Sequence, residues 1–195
     1  MINVYSRNLL LYAESILIGC KMEQSSDRNY TKIKNYVLIR SLGKENIYLA
    51  LNIDTFDYVV IKSFQDKDEF LRERNCMSRI LRFCNHFTCL LDAFEFQNEY
   101  YIVSDYLRDY ITLFDYMTLY PKRNQKEIGS KLNRLIQELH DHNISHQDLH
   151  SKNIMIHPRN LDIRIIDFGE CQDYDPNDLS DFEIIELLFG GSGSI

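Results

Sequence analysis

The chain has 195 residues, 45% of them hydrophobic and 12% aromatic, so it can build a core and does not fall in the disordered class. Its formal net charge of -7 argues against general binding of nucleic acid or anionic lipid. Five cysteines are scattered along the chain without a C-x-x-C pair. This usage predicts small buried hydrophobes in a reduced, cytoplasmic compartment and disfavours a zinc site at "CNHFTC".

The N-terminal stretch "MINVYSRNLLLYAESILIGCK" predicts an amphipathic helix packed on the body of the protein. Its longest apolar run is far shorter than the ~20 residues of a membrane span, and it lacks the basic start and cleavage site of a signal peptide. We therefore expect an N-terminal extension over residues 1–30 and no membrane span. At the other end, "GGSGSI" predicts a flexible tail over residues 190–195.

The first half of the remaining chain predicts a sheet with one helix. Residues 36–64 are rich in β-branched and aromatic side chains and are interrupted at "SLGKEN" and "NIDTFD", which predicts three antiparallel strands. Apolar residues at helical spacing predict a helix over residues 67–83. "FTCLLDAFEF" and "EYYIVSDYL" predict two more strands. Together these elements form a five-stranded antiparallel sheet, with one helix between its third and fourth strands in chain order.

The second half predicts helices around a small hairpin. "NQKEIGSKLNRLIQELHDHN" carries its apolar residues on one face, as a helix that packs on a core does, and ends near Asn143. The polar stretch "HQDLHSKN" follows, then a strand "IMI", a turn at "HPRN" and a strand "DIRIID". A last amphipathic helix is expected at residues 180–189, with Asp178 or Asp181 as its cap.

Five motifs connect these elements in a fixed order. "VVIK" is followed by a helix that carries glutamates, then by "YIVSDYL", "HQDLHSKNIMI" and "IIDFG". The ordered set is far more specific than any one motif, and it resembles the protein-kinase-like fold over roughly residues 36–189. The resemblance implies an α+β, two-lobed fold with an N-lobe over residues 31–107 and a truncated, mainly helical C-lobe over residues 108–189.

The resemblance also implies an ATP site between the lobes. Lys62 ends "VVIK" and would hold the α- and β-phosphates, anchored by a glutamate on the next helix. Glu73 is the first candidate for this anchor, and Glu69, on the same helical face, is the alternative. Gly43 would lie over the phosphates. The backbone carbonyl of Asp105 and the backbone N–H of Leu107 would pair with adenine, and Val60 and Met155 would sandwich its ring.

The stretch from His146 to Asn153 would carry the chemistry. Asp148 would accept or orient the proton of the acceptor hydroxyl. Asn153 and Asp167, the latter in "DFG", would supply the hard oxygen ligands that Mg²⁺ prefers. His146 would hold the loop in place without taking part in the reaction.

Three positions depart from the usual family pattern. The glycine-rich loop keeps only Gly43, which predicts weaker or differently shaped ATP binding. His150 replaces the usual lysine, as in kinases of aminoglycosides, choline and lipopolysaccharide sugars and in some viral protein kinases, and Lys152 could supply the missing charge. Gln147 replaces the arginine that grips a phosphorylated activation segment, and few residues follow Gly169 to form such a segment.

These features predict an ATP- and Mg²⁺-dependent phosphotransferase, namely a Ser/Thr protein kinase of minimal size without a phosphorylatable activation segment. The chain resembles compact kinases of viruses and bacterial effectors, so we expect a protein substrate or a host-protein partner in the cytoplasm. The single glycine over the phosphates favours the alternative of a pseudokinase that binds a partner. The sequence "DLH" favours a small-molecule kinase instead.

Overall fold

The computed structural model describes residues 31–43, 46–121 and 123–189. The expected N-terminal extension (1–30) and C-terminal tail (190–195) lie outside these ranges, as do residues 44–45 of the first hairpin. The described residues form an N-terminal β-sheet with one helix and a mainly helical C-terminal lobe. The expected α+β, two-lobed fold is confirmed.

One antiparallel sheet, with the strand order β1-β2-β3-β4-β6-β5, forms the N-terminal lobe. Its strands are β1 (Lys32–Ile33), β2 (Tyr36–Ser41), β3 (Ile47–Asn52), β4 (Tyr58–Phe64), β5 (Leu90–Phe96) and β6 (Glu99–Asp105). β2 to β6 are the five strands expected from the sequence, and the short β1 adds a sixth at one edge. The β5–β6 hairpin turns at Gln97 and Asn98, whose φ angles of 52° and 65° suit a tight hairpin.

The alternation of side chains along β4 decides which of them reach the cleft. Val59 and Ile61 are buried on one face of the sheet, which leaves Val60 and Lys62 on the other. β4 lies between β3 and β6 and is paired on both sides. Lys62 therefore stands on a central strand, which is a rigid base for a functional side chain.

Helix α1 (Lys67–Arg79) packs on this sheet. Asp66 caps it, because its carboxylate accepts hydrogen bonds from two backbone N–H groups of the first turn. The helix expected over residues 67–83 is divided at Ile80, after which a short 3-10 helix (Leu81–Phe83) follows. The side chains that α1 buries recur at helical spacing and are Phe70, Glu73, Cys76 and Met77. A carboxylate in an apolar stripe of this kind requires a charged or hydrogen-bonded partner.

The C-terminal lobe places short strands among three helices. Its elements are β7 (Ile111–Thr112), α2 (Leu113–Leu119), α3 (Gln125–Asp141), β8 (Ile144–Ser145), β9 (Ile154–Ile156), β10 (Ile163–Ile165), β11 (Gln172–Asp173) and α4 (Ser180–Phe189). β9 and β10 form the expected hairpin, and β7 pairs with the free side of β9. The sequence pattern gives no sign of β7 or α2, because both are too short for a clear period. No helix in the described ranges is long and apolar enough to cross a membrane.

One hydrophobic cluster of the described residues extends across both lobes and joins apolar side chains of α1 to those of α3, and a second cluster lies within the N-terminal sheet. The rings of Phe87 and Phe168 link the lobes, with their centroids 6.2 Å apart in an edge-to-face arrangement. The backbones are paired at the same place, since Thr88 N donates to Ile165 O at 3.0 Å. The two lobes are therefore held against each other directly beside the cleft.

Two disulfides contradict the expectation that the cysteines are unpaired small hydrophobes. They join Cys76 to Cys171 and Cys84 to Cys89, while Cys20 lies outside the described residues. Cys76 and Cys171 are 95 positions apart, and sequence spacing carries no sign that α1 packs against the segment after β10. Both are buried, as expected, but their pairing removes the argument for a reduced compartment.

Candidate active site

Three charged side chains from separate elements meet in the cleft. Lys62 Nζ lies 2.7 Å from Glu73 Oε2 and 2.7 Å from Asp167 Oδ1. Lys62 stands on β4, Glu73 on α1 and Asp167 just after β10, so this contact requires both lobes. Burial acts to lower the pKa of the Lys62 ammonium, but Glu73 and then Asp167 outweigh it and hold that pKa above its usual range. Lys62 is therefore a fixed positive charge at neutral pH.

The loop between β8 and β9 presents a carboxylate to the same cleft. Asn153 Nδ2 donates to the backbone oxygen of Asp148 at 3.0 Å and to its carboxylate Oδ2 at 3.1 Å. These two hydrogen bonds fix the direction of the Asp148 side chain. His150 Nε2 stands 3.7 Å from the same Oδ2, and the Asp148 side chain is 48% exposed. The carboxylate is thus oriented by its neighbours and still accessible to a substrate.

His146 holds the backbone of this loop. Its ring is buried, its Nε2 lies 3.0 Å from the carbonyl oxygen of Ile166, and Asp148 N donates to its Nδ1 at 3.3 Å. The ring therefore carries its proton on Nε2 and donates it to Ile166. Burial holds the pKa of His146 below its usual range, against the effect of that hydrogen bond, so the ring is neutral. The ring of His146 thereby connects the backbone of Ile166, directly before Asp167, to the backbone of Asp148.

A buried carboxylate on α4 anchors the start of the loop. Asp181 is 1% exposed, and four donors converge on its two oxygens. They are Ser145 Oγ (2.9 Å), His146 N (2.8 Å), Gln147 N (2.9 Å) and His140 Nε2 (3.1 Å). A buried charge of this kind is tolerated because hydrogen bonds replace its water. The loop that carries Asp148 is therefore tied to α4 through its backbone.

A cavity of about 400 Å³ lies where these groups meet. Among the residues that the structure describes, two cations line it, Lys62 and Arg72, and both are paired with carboxylates. The described carboxylates that line it are those of Glu69, Glu73, Glu99, Asp148, Asp167 and Glu170. The described lining carries more negative than positive charge, so an accompanying cation would favour the entry of a polyphosphate.

Among known protein families, the model of the protein kinase domain matches residues 40–185 of this chain. This chain belongs to the protein kinase domain family. It is 28% identical over 160 residues to a probable serine/threonine-protein kinase KIN1 homolog of Enterocytozoon bieneusi, which covers 76% of this chain and 26% of that protein. It is 33% identical over 145 residues to the phosphorylase b kinase gamma catalytic chain, liver/testis isoform, of Bos taurus, with coverages of 73% and 35%. The chain thus spans about a quarter to a third of the length of these relatives.

The two glutamates considered for Lys62 are separated by burial. Glu73 lies on the buried face of α1 and makes the 2.7 Å contact with Lys62. Glu69 is exposed in the first turn of the helix, and it lines the cavity. In this kinase domain, Glu73 is therefore the glutamate that anchors Lys62 in the structure.

The structure describes both ends of the connection between β2 and β3 in this kinase domain. Leu42 N donates to Ile47 O at 2.8 Å, which closes the turn that begins at Gly43. Gly43 has a φ of 97°, a conformation that other residues rarely adopt. Asn46 Nδ2 donates to Ser63 O at 3.0 Å, and Asn46 lines the cavity. The described part of this turn therefore contributes an asparagine side chain where the family uses glycine backbone.

Several residues expected at the ATP site do not line the cavity. The role expected of Asp105 concerns its backbone carbonyl, and its side chain accepts hydrogen bonds from Cys89 N at 2.6 Å and Thr88 Oγ1 at 3.1 Å. Lys152 is exposed, and its Nζ lies 5.4 Å from the ring centroid of Phe114 on α2. The other expected residues that lie outside the lining are Gly43, Val60, Leu107, Asn153 and Met155. Of the expected site residues, Lys62, Glu73, Asp148 and Asp167 line the cavity.

Sequence reasoning did not single out Arg72, Asn46 or Glu170. Arg72 Nη1 donates to Gly169 O at 3.2 Å and lies 3.4 Å from the Glu170 carboxylate. The only sign in the sequence was the place of Arg72 next to Glu73 on the helix. A charged residue at an exposed helix position usually faces solvent and makes no contact with a functional site.

The oxygen ligands suit an ion that arrives with a nucleotide. Within the described ranges, no group of three or more His, Cys, Asp or Glu side chains could hold a metal ion. Asn153 directs its amide nitrogen to Asp148, which leaves its amide oxygen for another partner. Mg²⁺ commonly takes one or two protein oxygens and completes its shell with phosphate and water. Asp167, which lines the cavity, and the amide oxygen of Asn153, which lies outside that lining, are hard oxygen donors of the kind that this mode uses.

Proposed function

We propose that this protein is an active kinase that transfers the γ-phosphoryl group of ATP, with Mg²⁺, to a Ser or Thr hydroxyl of a protein. The supporting observation is the Lys62 ammonium held between Glu73 and Asp167, with Asp148 lining the same cavity. Lys62 would bind the α- and β-phosphates. The acceptor oxygen would attack the γ-phosphorus as the bond to ADP breaks, and Asp148 would take the hydroxyl proton.

The charge of the cavity supports a requirement for Mg²⁺. In the described part of its lining, six carboxylates face two paired cations, and ATP brings further negative charge. Asn153 and Asp167 would hold the ion, which would neutralise the phosphate oxygens and the charge that develops on them. Without the ion, repulsion from Asp148 and Asp167 would oppose phosphate binding.

The proposed kinase would need no phosphorylation to reach this geometry. Residues 170–179 lead from the "DFG" motif to α4, and their single hydroxyl side chain is Tyr174, whose ring stacks on that of His140 at 4.0 Å. Gln147, where the family usually has arginine, is hydrogen-bonded to side chains of its own loop and of the start of α4. The segment thus offers neither an exposed acceptor nor a cation to receive a phosphate.

A second candidate function is that of a partner-binding module with weak nucleotide affinity. The presence of a single glycine, Gly43, in the connection between β2 and β3 favours it, because glycines allow backbone N–H groups to approach a phosphate closely. His150 beside Asp148 favours a third, a small-molecule acceptor. We propose in addition that the lobes extend over residues 31–107 and 108–189, and that the substrate or partner is a cytoplasmic protein.

The decisive experiment is transfer of labelled phosphate from ATP in the presence of Mg²⁺. We expect Asp148→Ala to lower incorporation into a generic protein substrate by at least about 100-fold, the usual contribution of a positioned base. Asp141→Ala is the matched control, because Asp141 is an exposed acid on α3 outside the cavity. Equal incorporation by wild type and Asp148→Ala would refute the proposal.

Two further measurements separate the alternatives. Binding of ATP–Mg²⁺ to the folded state should raise the melting temperature. If millimolar ATP–Mg²⁺ gives no shift, the partner-binding module is favoured. If the protein hydrolyses or transfers phosphate only with aminoglycosides, choline or sugars, the acceptor is a small molecule.

A further inference from the structure

Helix α1 is joined to residues 169–173, which begin at the glycine of "DFG", at three successive positions on one face. Arg72 donates to Gly169 O at 3.2 Å, Cys76 is bonded to Cys171, and Arg79 Nη1 lies 2.8 Å from Asp173 Oδ1. Positions 72, 76 and 79 follow the four- and three-residue spacing of one helical face. The helix that carries Glu73 is therefore linked along its length to the chain that carries Asp167.

The three links differ greatly in strength. Arg72 and Glu170 are 44% and 68% exposed, and Arg79 and Asp173 are 36% and 77% exposed. Ion pairs with this exposure contribute little, because water screens them and the long side chains lose entropy. The covalent bond between Cys76 and Cys171 is the link that does not depend on solvent or salt.

The disulfide lies directly behind the catalytic contact. Cys76 is one turn after Glu73 on α1, and Cys171 is four residues after Asp167. Lys62 binds both of these carboxylates at 2.7 Å. Holding the two backbone segments together therefore keeps the two carboxylates on either side of one ammonium. If α1 moved outward, Glu73 would leave Lys62.

We propose that Cys76 and Cys171 form a redox modification site that positions Glu73 and makes phosphate transfer dependent on the disulfide. The proposal rests on the function proposed above. A dithiol such as dithiothreitol would reduce the site by two exchange steps, in which the protein disulfide takes two electrons and two protons and the dithiol becomes a cyclic disulfide. Oxidised glutathione would restore the bond and leave as two thiol molecules.

Burial of the pair makes the reduction depend on the position of α1. Cys76 is 5% and Cys171 3% exposed, and both belong to the core between the lobes. A dithiol can reach the sulfurs only when α1 separates from the segment 170–173. Bound ATP–Mg²⁺, which would engage Lys62 and Asp167, should slow the reduction, because a ligand that favours the closed state disfavours the open one. Once reduced, two small thiols still suit the core, so the fold should persist.

The second disulfide provides a matched control. Cys84 and Cys89 are 5 positions apart and lie outside the cavity. Their removal alters a local loop without releasing α1 from residue 171. Cys20→Ser can serve as the background for all variants, since it prevents exchange with the fifth cysteine.

The test combines a structural readout with activity. In the Cys20→Ser protein, peptide mapping after treatment with oxidised glutathione should recover Cys76 cross-linked to Cys171. Reduction should then lower labelled phosphate transfer at least tenfold, reversibly, and increase hydrogen exchange of the α1 amides without nucleotide. Cys84→Ala/Cys89→Ala should respond in the same way. Cys76→Ala/Cys171→Ala should show low activity and no response to dithiothreitol.

The outcomes separate this inference from the proposed function. Failure to form the cross-link, or unchanged activity and unchanged exchange of α1 after reduction, would overturn the redox site and leave the kinase function intact. Increased exchange of α1 in a protein that transfers no phosphate in either state would support the site and overturn the function. If Cys76→Ala/Cys171→Ala does not fold, the reduced parent protein provides the same comparison.

Discussion

Replacing Asp181 by alanine should destabilise the protein strongly, because one buried carboxylate serves four donors. These are the hydroxyl of Ser145, the backbone N–H groups of His146 and Gln147, and the ring of His140. A buried donor without an acceptor costs about 1–3 kcal/mol. Even at the lower value, four such donors give a loss of about 4 kcal/mol, much of the roughly 5–15 kcal/mol by which a domain is stable.

Asp181→Asn should give a smaller loss, which tests the reasoning quantitatively. The amide keeps one acceptor oxygen, and this oxygen can take the place of Oδ2, which receives three of the four donors. The amide nitrogen would then face Gln147 N, so one donor is left without an acceptor. We expect a loss of about 1–3 kcal/mol for Asp181→Asn.

Urea unfolding followed by circular dichroism measures these losses, since the chain has no tryptophan for fluorescence. Asp178→Ala is the control, because Asp178 also bonds to Gln147 and to the start of α4 but is accessible to water. It should lose less stability than either variant of Asp181. If Asp181→Ala proves no worse than Asp178→Ala, the carboxylate is not the anchor of the loop and the argument is wrong.

Three further predictions concern the site. Glu73→Gln should raise the KM for ATP about tenfold or more, because Lys62 loses a charged anchor. Glu69→Gln should change this KM about twofold or less. Equal effects of the two substitutions would contradict the pairing of Glu73 with Lys62. Removal of Mg²⁺ by EDTA should abolish both the thermal stabilisation by ATP and the transfer of labelled phosphate, and added Mg²⁺ should restore both. ATP binding that is unchanged by EDTA would exclude the proposed role of Asn153 and Asp167. The pKa of His146 is lower in the folded than in the unfolded protein, so the unfolded chain takes up the proton first as the pH falls. The free energy of unfolding should therefore decrease as the pH drops below about 6.5, by at most about 1.4 kcal/mol per pH unit. Urea titrations of His146→Asn should show a shallower pH dependence, and an unchanged slope would show that His146 is not the group responsible.

Much of the fold follows from local pattern. The β-rich run from residue 36 to 64 has the turn residues and β-branched side chains of three strands, and the structure has β2, β3 and β4 there. The apolar face of α3 is regular enough to predict a helix without tertiary information. Short elements such as β7 and α2 were beyond prediction, because two to seven residues do not establish a period and depend on packing for their stability.

The division of α1 at Ile80 and the disulfides show a different limit. Apolar spacing continues past Arg79, and only the turn toward β5 ends the helix. Cys76 and Cys171 look like unrelated small hydrophobes in the sequence, and their pairing depends on how α1 docks on the C-terminal lobe. Non-local contacts of this kind leave no mark on local composition or spacing.

The sequence by itself determined the family and the chemical type of the site. Lys62, Asp148 and Asp167 occur in motifs whose order and spacing are specific, and the structure gathers all three around one cavity. The sequence could not decide between Glu69 and Glu73 as the partner of Lys62, since residues four apart share one helical face. The docking of α1 on β4 made that choice by burying Glu73 against Lys62 and leaving Glu69 exposed. The anchoring of the loop by Asp181 was likewise decided only by tertiary structure, because a buried charge acquires its partners from chain segments that sequence distance keeps apart.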